Sequence, residues 1–273
     1  MPVLVHAAHR TLGRALTRRL LEEGGQVRAT ASDGVALLRA EGVFTAACDA
    51  DDEGTLEAAL TQVHTLVVLL GGLGRPDADA VRQEGLAAAR AADGAGIERA
   101  VIVTLAGSAV DAPDPLRRAH GAVAQAFAEV PLPSIELRTG LVDTPAATDL
   151  LLAAGLPPEV RARPVAPVAP DDLLELIVAV DRARSRAEAG HLIVAADGRE
   201  RPSLDEHLAR RSTVGGDRGT VGARPRLTGR RVPSPAVRDA LLATLAGPWW
   251  TDDAQVPDAW GLFGIHPQAG DTP

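Results

Sequence analysis

The sequence contains no lysine and no tyrosine, one cysteine, and only three tryptophans and three phenylalanines among 273 residues. Each absence closes off something. A proton relay built on a phenol and an ammonium group cannot exist anywhere in the chain. A single cysteine, Cys48, cannot form an internal disulfide, which fits a reducing compartment, and its place after Ala47 at the end of an apolar run reads as a small core residue. No apolar run approaches the roughly 18 residues of a membrane helix, and no signal-peptide pattern opens the chain, so the expectation is a cytoplasmic protein without membrane association. All 28 basic residues are arginine and the net charge is −8. That balance argues against nucleic acid as a partner, which needs clustered positive charge. The one basic segment, from Arg199 to Arg231, also contains Asp and Glu and reads as a solvated face.

What is present is an apolar share of 46% carried by Ala, Leu and Val. The chain is organised around Val3 to Asp33. Val3, Leu4 and Val5 read as a short buried strand, and Leu12, Ala15, Leu16 and Leu20 repeat at helical spacing before Gly24 and Gly25. A second strand, Gln26 to Thr30, closes a strand-helix-strand unit. Such a unit opens a doubly wound parallel sheet, in which a dinucleotide pyrophosphate rests on the first helix N-terminus.

The stretch resembles the opening of the short-chain dehydrogenase/reductase superfamily, whose extended and atypical branches, NmrA-like and epimerase/dehydratase-like, read strand, TGxxGxxG, helix. Here the loop reads His6-Ala7-Ala8-His9-Arg10-Thr11-Leu12-Gly13. Only Gly13 is kept in that register, and in the TGxxxGxG register Thr11 and Ala7 replace the middle and first glycines. The resemblance implies a Rossmann-like α/β fold, with a nucleotide-binding-type domain over 1–145 and a smaller C-terminal lobe over 146–273 that returns elements to the sheet.

Further along, Gly34 to Ala40 reads as a short helix and Val43 to Ala47 as a strand. Asp49 then stands where the family contacts adenine, although Asp51 or Asp52 could simply cap the helix Glu53 to Gln62. Thr65 to Leu70 is a strand buried on both faces, followed by Gly71 and Gly72 as a cleft wall. Asp79 to Ala92 reads as a helix, with Gly85 matching the family's N-x-x-G and Arg82 in place of its Asn. Ile97 to Leu105 ends in Thr104, at the family's Ser/Thr position, with Ser108 four residues on. The family's Tyr-x-x-x-Lys pair falls near Leu116 and His120. Arg138-Thr139-Gly140-Leu141-Val142 resembles R-P-G-x-V, the turn that approaches the nicotinamide. A capped helix begins at Asp171, a strand covers His191 to Ala195, and helices cover Ser203 to Arg211 and Pro235 to Leu245. The tail collects Trp249, Trp250, Trp260 and Phe263, which suggests packing onto the lobe, a partner copy or a ligand mouth.

Three functional readings follow. The resemblance implies an atypical oxidoreductase of NADP(H), with Arg10, Thr11, Leu12, Gly13, Arg28, Asp49, Gly71, Gly72, Thr139 and Gly140 around the cofactor. Protons for a small organic substrate, such as one from secondary metabolism, then come from Thr104, Ser108, His120 or water. The second reading is a cofactor-free cyclase, isomerase or lyase, in which His6 and His9 at the rim supply acid-base groups. The third is a non-catalytic ligand-binding or regulatory protein. No metal is implied, since His6 and His9 lack a visible third ligand. Family relatives often form dimers or tetramers, so a homo-oligomer is an expectation.

Overall fold

A computed structural model of the chain describes residues 2–70, 73, 77–183, 190–214 and 233–267. The first winding comprises β1 (Val3–Val5), α1 (Thr11–Glu22), β2 (Val27–Ala31), α2 (Val35–Ala40), β3 (Phe44–Ala47) and α3 (Glu53–Leu60). The second comprises β4 (Thr65–Leu69), α4 (Ala78–Ala95), β5 (Arg99–Leu105), α5 (Pro115–Glu129) and β6 (Ser134–Thr139). Then follow β7 (Leu141–Val142), α6 (Pro145–Ala153), α7 (Pro158–Arg161), β8 (Pro167–Val168) and α8 (Pro170–Arg182). The chain continues through β9 (His191–Ala195), α9 (Leu204–Val214), α10 (Pro235–Ala246) and α11 (Ala259–Phe263).

Seven strands form one parallel sheet in the order β3-β2-β1-β4-β5-β6-β9. The doubly wound architecture expected from the opening unit is therefore present. Chain direction across the sheet reverses between β1 and β4, so a crevice opens beyond their C-terminal ends. Every residue of β4 is buried, as its unbroken apolar run requires of a strand covered on both faces. One face packs Val101, Val103, Ile135 and Leu137 against α1 and α8, while the other packs Leu66, Val68 and Ile102 under α3, α4 and α5.

Helix starts follow local chemistry. Asp52, Asp77, Asp114, Thr144, Ser234 and Asp258 each accept a backbone N–H from three residues on, which satisfies a donor the helix itself cannot pair. Ser203 and Glu206 form a reciprocal capping box at the start of α9. The expected cap of α8 is not formed: Ala169 holds the N-cap position without a side-chain bond, and Asp171 and Asp172 lie in the first turn instead. There they complement the helix dipole.

A third apolar cluster, including Leu73, Leu141, Leu151, Leu204, Leu208, Leu241 and Trp249, joins α6, α9 and α10 to the segments after β4 and β6. Trp249 and Trp260 are each 2% exposed. These two tail tryptophans thus pack into their own chain, Trp249 in the third cluster and Trp260 on the sheet core.

Candidate functional site

The β1–α1 turn lies at the crevice. Gly13 is required there, because a Cβ would stand 2.9 Å from the Ala8 Cα and 3.2 Å from the Ala7 oxygen, both backbone atoms that cannot step aside. Ala7 takes the left-handed conformation, φ 52°, where the family has a glycine; an L side chain there costs about 1–2 kcal/mol. α1 starts at Arg10 with no side-chain cap and no acid in its first turn. Its first N–H groups, from Thr11 to Gly13, therefore point into the crevice with the positive end of the helix dipole behind them. Thr11 is exposed and Leu12 half-buried. This end of the crevice fits a pyrophosphate.

Arg10 does not reach freely into that space. Its guanidinium makes two 2.6 Å bonds to the carboxylate of Glu84 on α4, and Glu84 is 1% exposed. His6 stands behind the same pair: its Nδ1 meets Thr30 Oγ1 at 2.8 Å, its Nε2 meets the Ala50 oxygen at 3.0 Å, and Nε2 lies 3.9 Å from Glu84. Burial pushes the imidazole below its ordinary pKa, more than the facing Glu84 raises it. His6 is thus a buried tie between strands and not a rim residue as the sequence suggests. His9 is half-buried, with its Cβ near Gly34.

Two further residues expected at the cofactor behave differently. Arg28 lies near the start of β2, at the end of the sheet away from the crevice, where it donates to the carbonyls of Ala59 and Thr61 and stacks over Phe44. It caps the C-terminal carbonyls of α3 and is not brought to the cofactor end. Asp49 is exposed past β3, while Asp52 caps α3. Gly71 and Gly72 lie outside the described residues.

At the other end of the crevice, the hydroxyls are engaged. Thr104 donates to Glu136 at 2.7 Å, Ser108 to the Leu105 oxygen at 2.6 Å and Thr139 to the Thr104 oxygen at 3.0 Å. All three residues are buried, and His120 is 0% exposed. Next to Leu116 on α5, Arg117 is buried as well. Its side chain, 1% exposed, pairs with Asp114 at 2.9 Å and donates to the carbonyls of Ala106, Thr244 and Pro248. It also lies 5.3 Å from the Trp249 ring. The tail is thereby fastened over the ends of β5 and β6. Gly107 admits no Cβ against Pro248, and a Cβ on Gly140 would stand 2.6 Å from the Trp249 oxygen.

Sequence reasoning passed over Arg117, Glu84 and Asp33. Glu84 had a visible signal, because it sits with Val81, Gly85 and Ala88 on the apolar face of α4. Asp33, exposed beyond β2, is about 20 residues past Gly13, where dinucleotide folds place the acid that binds a ribose hydroxyl. Arg117 had none, since an arginine on a helix ordinarily reads as surface.

The comparisons agree with this geometry. Residues 7–133 match the family model described as NAD(P)H-binding. No curated protein matches the sequence. Among solved structures, the triphenylmethane reductase of Citrobacter sp. complexed with NADP(H) superposes with a TM-score of 0.73 at 18% identity, covering 98% of each chain. An NADPH-dependent quinone oxidoreductase from Escherichia coli, complexed with NADPH, gives 0.69 at 18% identity over 97% of this chain and 96% of that one. A nucleoside-diphosphate-sugar epimerase from Staphylococcus aureus gives 0.72 at 14% identity over 98% and 97%. The Rossmann-like fold that the resemblance implies is borne out.

Proposed function

From this chain of the atypical short-chain dehydrogenase/reductase type, we propose an NADP(H)-dependent reductase that passes hydride to small conjugated acceptors, quinones or cationic dyes, without a tyrosine relay. The observation that carries the reading is a pairing of one retained end with one altered end. The uncapped start of α1 keeps its phosphate-facing N–H groups, while Arg117 fills the region of the Tyr-x-x-x-Lys pair.

When bound, the dinucleotide supplies a hydride donor. The chain's own part is binding and orientation. Backbone N–H groups of Thr11, Leu12 and Gly13 hold phosphate oxygens. The Ala106–Gly107 turn and Gly140, fixed from behind by Arg117 and the tail, form a rigid wall at the ends of β5 and β6, and rigidity there restricts the angle of attack. An acceptor that is cationic at carbon needs no proton at all. A quinone needs one for each hydride, and Thr104, Ser108 and Thr139 are each already donating within the protein.

Support for the cofactor class comes from the family match and from the two reductase neighbours, whose structures hold NADP(H) and NADPH. Asp33 pulls toward NADH, because a carboxylate at that place repels a ribose 2′-phosphate. Calorimetric titration of the nucleotide-free protein with NADPH and NADH tests the reading. Micromolar binding of either is the expected result. No binding at millimolar concentration returns the crevice to the cofactor-free readings.

A further inference from the structure

The proposed reductase has a proton to supply whenever its acceptor is a neutral quinone, and the crevice hydroxyls are committed elsewhere. We infer that His207 on α9, held by Asp143, is the proton donor of this site, and that the neutral acceptor is a quinone or another conjugated carbonyl. The inference rests on the redox reading above. Both residues lie beyond the 7–133 segment that the family model matches.

Position comes first. Asp143 follows β7 directly, four residues past the C-terminal end of β6, and its N–H donates to the Val168 oxygen. Ligands of doubly wound sheets bind beyond these strand ends. Leu73, just past β4, packs in one cluster with Leu141, Leu204 and Leu208. α9, which carries Leu204, His207 and Leu208, therefore stands against the same end of the sheet.

The chemistry is that of a carboxylate and an imidazole. His207 Nε2 stands 3.4 Å from Asp143 Oδ1, with His207 6% exposed. Such contacts are commonly long before a ligand is bound. Arg211 Nε lies 3.0 Å from Asp143 Oδ2, and Thr148 donates to Oδ1 at 3.3 Å. Burial raises the Asp143 pKa, but His207, Arg211 and Thr148 outweigh it and hold the carboxyl below its usual range. His207 Nε2 makes no hydrogen bond of good geometry, so the anionic Asp143 draws Nε2–H by charge across 3.4 Å and leaves Nδ1 to exchange a proton. Nδ1 has no partner among the described residues.

A second set of such groups sharpens the assignment. Ser134, His191 and Glu136 are also linked, at 2.7 and 3.2 Å. They sit at the starts of β6 and β9, with Ser134 and Glu136 at 0% exposure. That set ties the edge strand to the sheet, and Glu136 in it is already engaged by Thr104 and Arg138.

In the step, the quinone gains a hydride from the reduced nicotinamide, which is thereby oxidised. The balancing proton passes from His207 Nδ1 to the quinone oxygen, giving the hydroquinone, and water restores the imidazolium.

The test uses the full chain. Nuclear magnetic resonance of the His207 ring, assigned with His207→Gln, is followed while para-benzohydroquinone is added. Saturable movement of the ring signals, weakened several-fold in Asp143→Asn, is expected. In turnover of para-benzoquinone with NADPH, His207→Gln is expected to lower kcat about 100-fold, the low end for general acid catalysis. It is also expected to remove one limb of the pH profile and to change KM less. A ring that ignores the hydroquinone overturns the assignment, as does a variant whose kcat and pH profile match the parent. Failure to bind NADPH overturns the redox reading instead, and the ring titration still decides whether His207 meets the ligand.

Discussion

The two ends of the crevice differ in opposite ways from the pattern of the superfamily that the sequence resembles. At the phosphate end two glycines are gone, yet the backbone path survives: Ala7 accepts a left-handed φ of 52° and the first turn of α1 stays uncapped. At the ends of β5 and β6, the turn Arg138-Thr139-Gly140 resembles that pattern, while no tyrosine or lysine is present and a buried arginine, Arg117, fastens the tail. Backbone donors can outlast changes of side chain, because only the path of the chain has to persist. A relay made of side chains cannot. On the proposed reading, cofactor binding and proton transfer have separate fates, which is what the pair Asp143 and His207 requires.

The largest effect should come from the filled end. Replacing Arg117 with Met removes a guanidinium that is 1% exposed and leaves Asp114, 2% exposed, without its charged partner. Breaking a buried pair from one side costs about 3–5 kcal/mol. Chemical denaturation should show a loss of that size, and Arg117→Lys should not restore it, since an ammonium cannot reach three carbonyls and a carboxylate with a planar fork. An equal stability in Arg117→Met would mean that the tail is not fastened by this residue.

A smaller effect tests how the tail is held further on. Asp197 accepts the Thr251 N–H at 2.6 Å and its own carbonyl accepts from Trp260 Nε1 at 2.8 Å. Burial pushes its carboxyl up to about 6, against the pull of Thr251 and Arg201, with Asp258 adding to the rise. The folded state thus keeps a proton that the unfolded chain releases near 3.8. The associated stability is fully present below that lower value and is lost as pH rises through about 6. Denaturation midpoints of the parent should fall across this window relative to Asp197→Asn, by about 1–3 kcal/mol. Parallel pH profiles would remove the proposed titration.

Much of the fold was legible because its signals are local. The runs Val3–Val5, Thr65–Leu69 and Arg99–Leu105 are strands as expected, and Asp52 and Ser203 cap where the sequence places helix starts. What escaped depends on distant partners. Arg28 looked like a phosphate ligand because alternation tells which face a strand residue takes, while nothing local says that its reach ends at the carbonyls of α3. His6 looked like a rim residue because its partners, Thr30, Ala50 and Glu84, come from three other parts of the chain. The pairing of Asp143 with His207 joins residues 64 apart in the chain and has no spacing to announce it.

The smallest predicted effect returns to the phosphate end. Ala7→Gly restores the residue type that a left-handed backbone prefers. The relief of about 1–2 kcal/mol for an L side chain there is offset by about 0.4–1 kcal/mol for the freer unfolded chain. A net gain of about 0.5 kcal/mol is expected in denaturant midpoints. The effect on NADPH should be larger than on the fold, because losing the Cβ lets the turn settle closer to the pyrophosphate, and calorimetry should show severalfold tighter binding. If the variant gains stability but not affinity, the altered glycine is a matter of backbone strain alone. The limit on cofactor binding then lies with Arg10 and its bidentate hold on Glu84.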